Sequence, residues 1–252
     1  MTFRYGIKNG HHRAYILSMQ EAHIRIASYN IRKARGLDQK RRPTRTLQVI
    51  NGLKADIVVL QEADRRMGSR PSALPRDMID AETDFELVNV SHNDASIGWH
   101  GNAILVRKGL DVQHVEPLVL PGLEPRGAVR MQVNLGAGLT VVAAHLGLRR
   151  RDRQAQLAEI NRATNGDIHC VIAGDFNEWS ATKGFEPLAT KFETHSPGRS
   201  FHARRPIAAL DRFALTRGVT LHDAGVDQSL LARVASDHLP IWSDIEVPVS
   251  TY

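Results

Sequence analysis

A single cysteine, Cys170, stands among the 252 residues, so no intrachain disulfide can form. It lies in the apolar run IHCVIAG, where a buried, unreactive thiol is favoured over a redox or metal-binding one. That usage fits a reducing, cytoplasmic setting. No apolar stretch approaches the roughly 18 residues that cross a membrane. Residues 1–22 lack the continuous apolar core, about 7–15 residues long, of a secretory leader. They are expected to form a loosely ordered extension, with Met19 as an alternative start, ahead of a single domain over 23–252. No Gly/Ser- or Pro-rich linker divides the chain, and no repeat of about 20–50 residues recurs.

Several catalytic signatures are missing too. There is no GxxxxGK[ST] loop to cradle a nucleotide and no GxSxG elbow for a serine nucleophile. No HExxH motif or paired cysteines supplies a zinc site. Aromatic residues are only 6% of the chain and are not interleaved with basic ones, which weakens a base-stacking platform for nucleic acid.

What is present is an ordinary globular composition, 42% apolar and 24% charged. The 33 Lys and Arg outnumber 27 Asp and Glu, a net charge of +6. That excess suits an anionic partner: nucleic acid, anionic lipid or a phosphorylated metabolite.

Patterning alternates short strand-like runs with a few helices. Strands are expected at 23–31, 56–61, 85–90, 101–107, 111–119, 127–135, 139–146, 168–174, 210–216, 218–223 and 239–247. Helices are expected at 43–54, 150–164, 72–80 and 182–189. Pro43 opens the first helix where a missing N–H costs nothing, and Leu47, Ile50 and Leu53 share one face. The second places Gln154, Leu157, Ala158 and Ile160 along one side, and Gly166 follows its end.

DIVVLQE, LTVVAAHL and IHCVIAGDFN are near-continuous apolar runs, as expected of strands covered on both faces. Each ends abruptly in polar residues: Gln61-Glu62, His145, and Asp175 to Asn177. Side chains at such ends face a sheet rim, where sites are often built. The carboxylates Glu62, Asp175, Asp211 and Asp237 are hard oxygen donors suited to Mg²⁺ or Mn²⁺. With amides and histidines they fit a phosphate held against a hard metal and attacked by water. A lone strand-end glutamate or an SDH turn would say little; the ordered recurrence of these elements carries the weight.

SYNIR at 28–32, LQEAD at 60–64, GNAILVR at 101–107, AHLGL at 144–148, GDFN at 174–177, LDRFAL at 210–215 and SDHLPIW at 236–242 follow one another in that order. This series resembles the endonuclease/exonuclease/phosphatase superfamily over about residues 24–247. The resemblance implies a DNase I-like α/β (α+β) fold, a four-layer sandwich of two packed, mostly antiparallel sheets flanked by helices. It implies Mg²⁺- or Mn²⁺-dependent phosphoester hydrolysis, with Glu62 the principal metal ligand, assisted by Asn30 and Asp237. Asp175 would be the general base, Asn177 would orient the scissile phosphate, and His145 and His238 would contact it. Asp211 would orient His238 and favour its imidazolium, and Asn102 would be a supporting substrate contact.

The substrate stays open at this point among phosphodiesters (nucleic acid, phospholipid headgroup or small diester) and sugar or inositol phosphomonoesters. A non-catalytic binding module is disfavoured by the intact residue set. Arg149, Arg150, Arg151 and Arg153 read as the solvated face of a helix rather than a steering surface. Trp99 and His100 could contact substrate or pack in a loop. Arg65, Arg66 and Arg70 lie too close to the LQE motif to dismiss, and Arg126 in PRG is similar, though a functional role is the less favoured reading for each. His92, His114, His169, His195, His202 and His222 read as surface or packing residues.

Overall fold

The computed structural model describes residues 21–65, 68–91 and 93–249. Most of the expected extension, together with Arg66 and His92, lies outside them. Twelve strands form two six-stranded sheets. The first is ordered β11 (Thr220–Val226), β12 (Ile241–Pro248), β1 (Glu21–Asn30), β2 (Ile57–Gln61), β4 (Ala103–Arg107) and β3 (Phe85–Leu87). The second runs β5 (Val112–Leu120), β6 (Arg126–Val133), β7 (Leu139–His145), β8 (Cys170–Asp175), β10 (Asp211–Thr216) and β9 (Phe192–His195). β1–β2 and β7–β8 pair in parallel, and the other neighbours are antiparallel.

Alternation along the strands sorts side chains into layers. Ile24 and Ile26 of β1 and Val59 of β2 meet Val141 and Ala143 of β7 and Phe213 of β10 between the sheets. On the far side of the first sheet, Ala27, Tyr29 and Leu60 pack under α1 (Pro43–Gly52), α2 (Arg76–Glu82) and α4 (Ala232–Ala235). On the far side of the second, Val142, Ala144 and Ile172 are covered by Leu157 and Ile160 of α3 (Arg150–Ala163). The expected four-layer sandwich is therefore present. β2, β7 and β8 are buried at every position, as their unbroken apolar runs predicted. No helix of the described residues is long and apolar enough to cross a membrane.

The differences from expectation have local causes. The helix expected at 72–80 starts at Arg76, because Pro75 takes the N-cap in an extended conformation (ψ 136°) and bars Leu74 from the helix. The helix expected at 182–189 shrinks to a 3₁₀ turn, Glu186–Leu188, which follows Gly184 at φ 97° and holds Pro187 at its second position. On α3 the buried face carries Arg153, Gln156, Leu157 and Ile160, so Gln154 and Ala158 lie off it. Arg153 thus corrects its reading as solvated: it is buried and ion-paired to Glu178 at 2.7 Å. The short elements β9 and α4 gave no periodic signal. β1 starts at Glu21, and Glu21 and Ala22 already pair with Pro248 and Val247.

The topology gathers chemistry at one rim. Asn30 ends β1 opposite Gln61, which ends β2 just before Glu62. His145 ends β7 opposite Asp175, which ends β8. β10 runs antiparallel to β8, so its first residue, Asp211, also arrives opposite Asp175. Gly174 makes this register possible: a Cβ there would lie 1.8 Å from the Ala144 carbonyl oxygen.

Candidate active site

Asp175 is buried at the centre of the rim, and its Oδ2 is the point of convergence. Asn30 donates to it from the opposite sheet, Nδ2 to Oδ2 3.0 Å. His145 Nε2 lies 3.5 Å and His238 Nε2 3.7 Å from the same oxygen. Its other oxygen accepts the Asn177 backbone N–H at 2.9 Å. Asn177 adopts φ 51°, which turns the GDFN loop sharply, and its Nδ2 donates to Leu146 O at 2.9 Å.

His238 comes from the loop between α4 and β12. Ser236 Oγ donates to the Asn30 carbonyl at 2.7 Å, clamping that loop onto the end of β1. The His238 ring packs against Phe201, centroids 5.0 Å apart, and its Nδ1 lies 2.8 Å from Asp211 Oδ2. Ser200 Oγ donates to the same Asp211 oxygen at 2.5 Å.

These contacts set the charges. Burial opposes a charged His238, but Asp211 and Asp175 outweigh it and push the imidazole up to about 10. Burial, with Asp211 nearby, pushes Asp175 up to about 6, against the lowering pull of His238, the Asn177 N–H and Asn30. The pair is thus a stable imidazolium beside a carboxylate made more basic than usual. Cys170 is buried in β8, and burial pushes its thiol up, which bears out an inert thiol.

The other wall of the rim comes from the first sheet. Arg32, Lys33 and Ala34 form a left-handed turn after β1 (φ 46°, 59° and 57°), and Glu62 after β2 also has φ 54°. Non-glycine residues rarely hold that conformation, and its cost of roughly 1–3 kcal/mol each persists mainly at functional sites. The turn presents Lys33 Nζ to Glu62 Oε2 in an ion pair. Arg32 Nε lies 3.2 Å from Asp237 Oδ2, and its backbone N–H donates to Asn30 Oδ1 at 3.1 Å. Asn102 is fully buried behind this wall: Nδ2 donates to Gly127 O at 2.8 Å, and Oδ1 meets no hydrogen-bond partner among the described residues.

Among the described residues, Asp175, Asp211 and His238 bring one ligand atom each within 4.8 Å of one another. Nδ1 of His238 and Oδ2 of Asp211 are engaged with each other in a hydrogen-bonded relay, and His238 Nε2 lies 3.7 Å from Asp175 Oδ2, an ion pair without a hydrogen bond. Glu62 and Asn30 offer the better cation donors. Both present hard oxygens, the Asn30 amide oxygen has a second lone pair beyond the Arg32 N–H, and Glu62 lines an open cavity. The donor chemistry therefore fits a hard divalent ion.

The structure unites Asn30, Glu62, His145, Asp175, Asn177, Asp211 and His238 at one rim; Asp237 is held aside by Arg32, and Asn102 sits behind. Sequence reading missed Lys33, Ser200 and the Arg153–Glu178 pair. Lys33 directly follows the SYNIR motif, a weak signal, whereas nothing in the sequence marks Ser200. Trp99 resolves as packing, its Nε1 donating to Leu118 O at 2.8 Å, while His100 lines the cavity beside Glu62.

Comparison with known proteins bears on the fold and the family. Over 168 residues the chain is 29% identical to the uncharacterized protein YbhP of Escherichia coli K12, covering 60% of this chain and 64% of that protein. The chain thus spans less than two thirds of that relative's length. The fold is similar to D. rerio TDP2 complexed with single-strand DNA product (TM-score 0.67, 18% identity, 88% of this chain and 98% of that one). It is also similar to the mannosyl-6-phosphatase of Bacteroides thetaiotaomicron (TM-score 0.68, 17% identity, 88% of this chain and 99% of that one). At such identities the likeness is one of fold. Residues 27–238, from the middle of β1 to the relay histidine, match the model of one family, and the chain belongs to the Endonuclease/Exonuclease/phosphatase family.

Proposed function

We propose that this protein is a phosphodiesterase in which Asp175 deprotonates the water that attacks phosphorus. One observation carries the reading: a buried carboxylate at the meeting point of both sheets, with two imidazoles within 3.7 Å and a raised pKa. A base near 6 is ionised at neutral pH yet basic enough to take a proton from a polarised water. His238, kept cationic by Asp211, donates Nε2–H to a non-bridging phosphate oxygen, and His145 contacts a second. Asn177 orients the phosphate through the Nδ2 hydrogen not given to Leu146.

Glu62 and Asn30 would hold a Mg²⁺ or Mn²⁺ ion, which when bound supplies charge neutralisation at the phosphate oxygens. In this reading the Lys33–Glu62 pair keeps the carboxylate turned to the rim, whereas Arg32 holds Asp237 aside. Asn102 braces the wall through Gly127. A phosphomonoester of a sugar or inositol is the second reading. It is favoured by the small cavity beside Glu62, about 270 Å³, which suits a compact substrate.

The test uses purified protein with bis(p-nitrophenyl) phosphate and p-nitrophenyl phosphate in Mg²⁺. The diester should be the better substrate, and Asp175→Asn should lower its kcat by at least about 10²-fold while the protein stays folded. Near-wild-type turnover by a folded Asp175→Asn protein would remove Asp175 as the base. A faster monoester would select the second reading.

A further inference from the structure

Beside the rim, the cavity lined by Glu62 and His145 is also lined by Arg70, His100 and Arg126. Its three basic side chains and three carboxylates are not all paired with one another. Lys33 is paired with Glu62. Arg126 Nη2 donates to Glu124 Oε2 at 2.8 Å, and the other Glu124 oxygen accepts the Leu148 N–H at 3.2 Å. Asp64 also borders the cavity, but it is 2% exposed and accepts from Ser96 Oγ at 2.7 Å and the Ile97 N–H at 3.0 Å. Arg70 has no carboxylate within ion-pair distance among the described residues; its contact is Nη1 to His100 Nδ1 at 3.4 Å.

Two buried donors are also left over. Among the described residues Nε of Arg70 and Nε of Arg126 are out of solvent and meet no acceptor, as is also true of Arg45, Arg153 and Arg212 elsewhere, and Arg126 as a whole is only 7% exposed. A buried guanidinium N–H without a partner is costly, and what sets Arg70 and Arg126 apart is that both line one open cavity where a ligand can complete them. The backbone is constrained as well: Arg70 and His100 hold φ 54° and 50°, as Lys33 and Glu62 on the same cavity hold positive φ. Guanidinium groups match the planar spread of phosphate oxygens, which makes arginine the natural residue for such a pocket.

We propose that this cavity is a second anion subsite, where Arg70 and Arg126 hold a phosphate carried by the substrate in addition to the phosphate that is cleaved. The proposal rests on the reading of the Asp175 rim as the site of cleavage. It narrows the substrate to a compact molecule with two phosphates, one at the rim and one beside Glu62. His100 and Lys33 line the same cavity.

Two measurements test it. The first is calorimetric titration of inorganic phosphate into the protein in EDTA, which reads the subsite without turnover. Wild type should bind phosphate, Arg70→Gln should weaken binding at least about tenfold, and His238→Ala should retain it. The absence of binding by wild type, or binding lost in His238→Ala and kept in Arg70→Gln, overturns the proposal. The second compares thymidine 5′-(p-nitrophenyl phosphate) with the same ester bearing a 3′-phosphate, in Mg²⁺. The 3′-phosphate should raise kcat/KM at least about tenfold in wild type, a preference that collapses toward unity in Arg70→Gln and persists in part in Arg126→Lys. Equal preference in wild type and Arg70→Gln also overturns it. If neither ester is turned over while phosphate still binds through Arg70, the catalytic reading fails and the subsite stands.

Discussion

Asn30 and Asp175 join the two sheets through one side-chain hydrogen bond, Nδ2 to Oδ2 3.0 Å, across 145 positions of sequence. The bond favours the ionised carboxylate and so opposes the effect of burial on Asp175. In Asn30→Ala the Asp175 pKa should rise above about 6, and the acidic limb of the kcat profile should move to higher pH. At pH 6 turnover should fall about tenfold or more, since the bond and part of the base are lost together. A limb that stays in place would show that Asn30 does not tune Asp175.

Removal of divalent ions provides a second check. Hydrolysis of bis(p-nitrophenyl) phosphate should stop in EDTA and return with Mg²⁺ or Mn²⁺, because the donors at Glu62 and Asn30 are hard oxygens. Glu62→Gln should raise the Mg²⁺ concentration needed for half-maximal rate by at least about tenfold. Full activity in chelator, or rescue by zinc alone, would refute the assignment of Glu62.

The Asp211–His238 pair gives a third prediction, with opposite sign to the first. His238 is held near 10, so it stays charged across the neutral range. Asp211→Asn removes the neighbouring negative charge while burial continues to disfavour the imidazolium, so the histidine pKa falls. Activity that needs the charged ring should then decline at lower pH, moving the alkaline limb toward acid. The same pairing stabilises the fold: its contribution is fully present below about 6.5 and is lost as pH rises through about 10. A pH–rate profile decides it; an unmoved limb with unchanged kcat would take Asp211 out of the site.

Gly174 supplies a prediction about stability. A methyl group there would lie 1.8 Å from the Ala144 carbonyl, in the register that sets His145 beside Asp175. Neither backbone can yield without opening the parallel pair, so Gly174→Ala should cost on the order of 2–4 kcal/mol in urea unfolding. An alanine variant with unchanged midpoint would mean that β7 and β8 are not held this closely.

Much of this was legible along the chain. The unbroken apolar runs of β2, β7 and β8 announced buried strands, and their abrupt polar ends marked the rim. The ordered motifs identified the family before any contact was known. Pro43 and Gly166 bounded their helices because φ restriction and φ freedom act within a residue or two. Tertiary structure alone decided the rest. Arg153 reads as surface charge on a basic helix until the loop after β8 brings Glu178 to it. Ser200 has no local signature, and its role exists only because its loop folds against Asp211. Arg70 and Arg126 look like scattered basic residues, yet β-strand order carries them to one cavity with Glu62. Periodicity and turn chemistry report neighbours within a few residues, so the sequence itself determines elements and their polar ends. Which charge is buried, which finds a partner and which is left for a ligand depends on segments dozens of residues apart, and only packing brings those together.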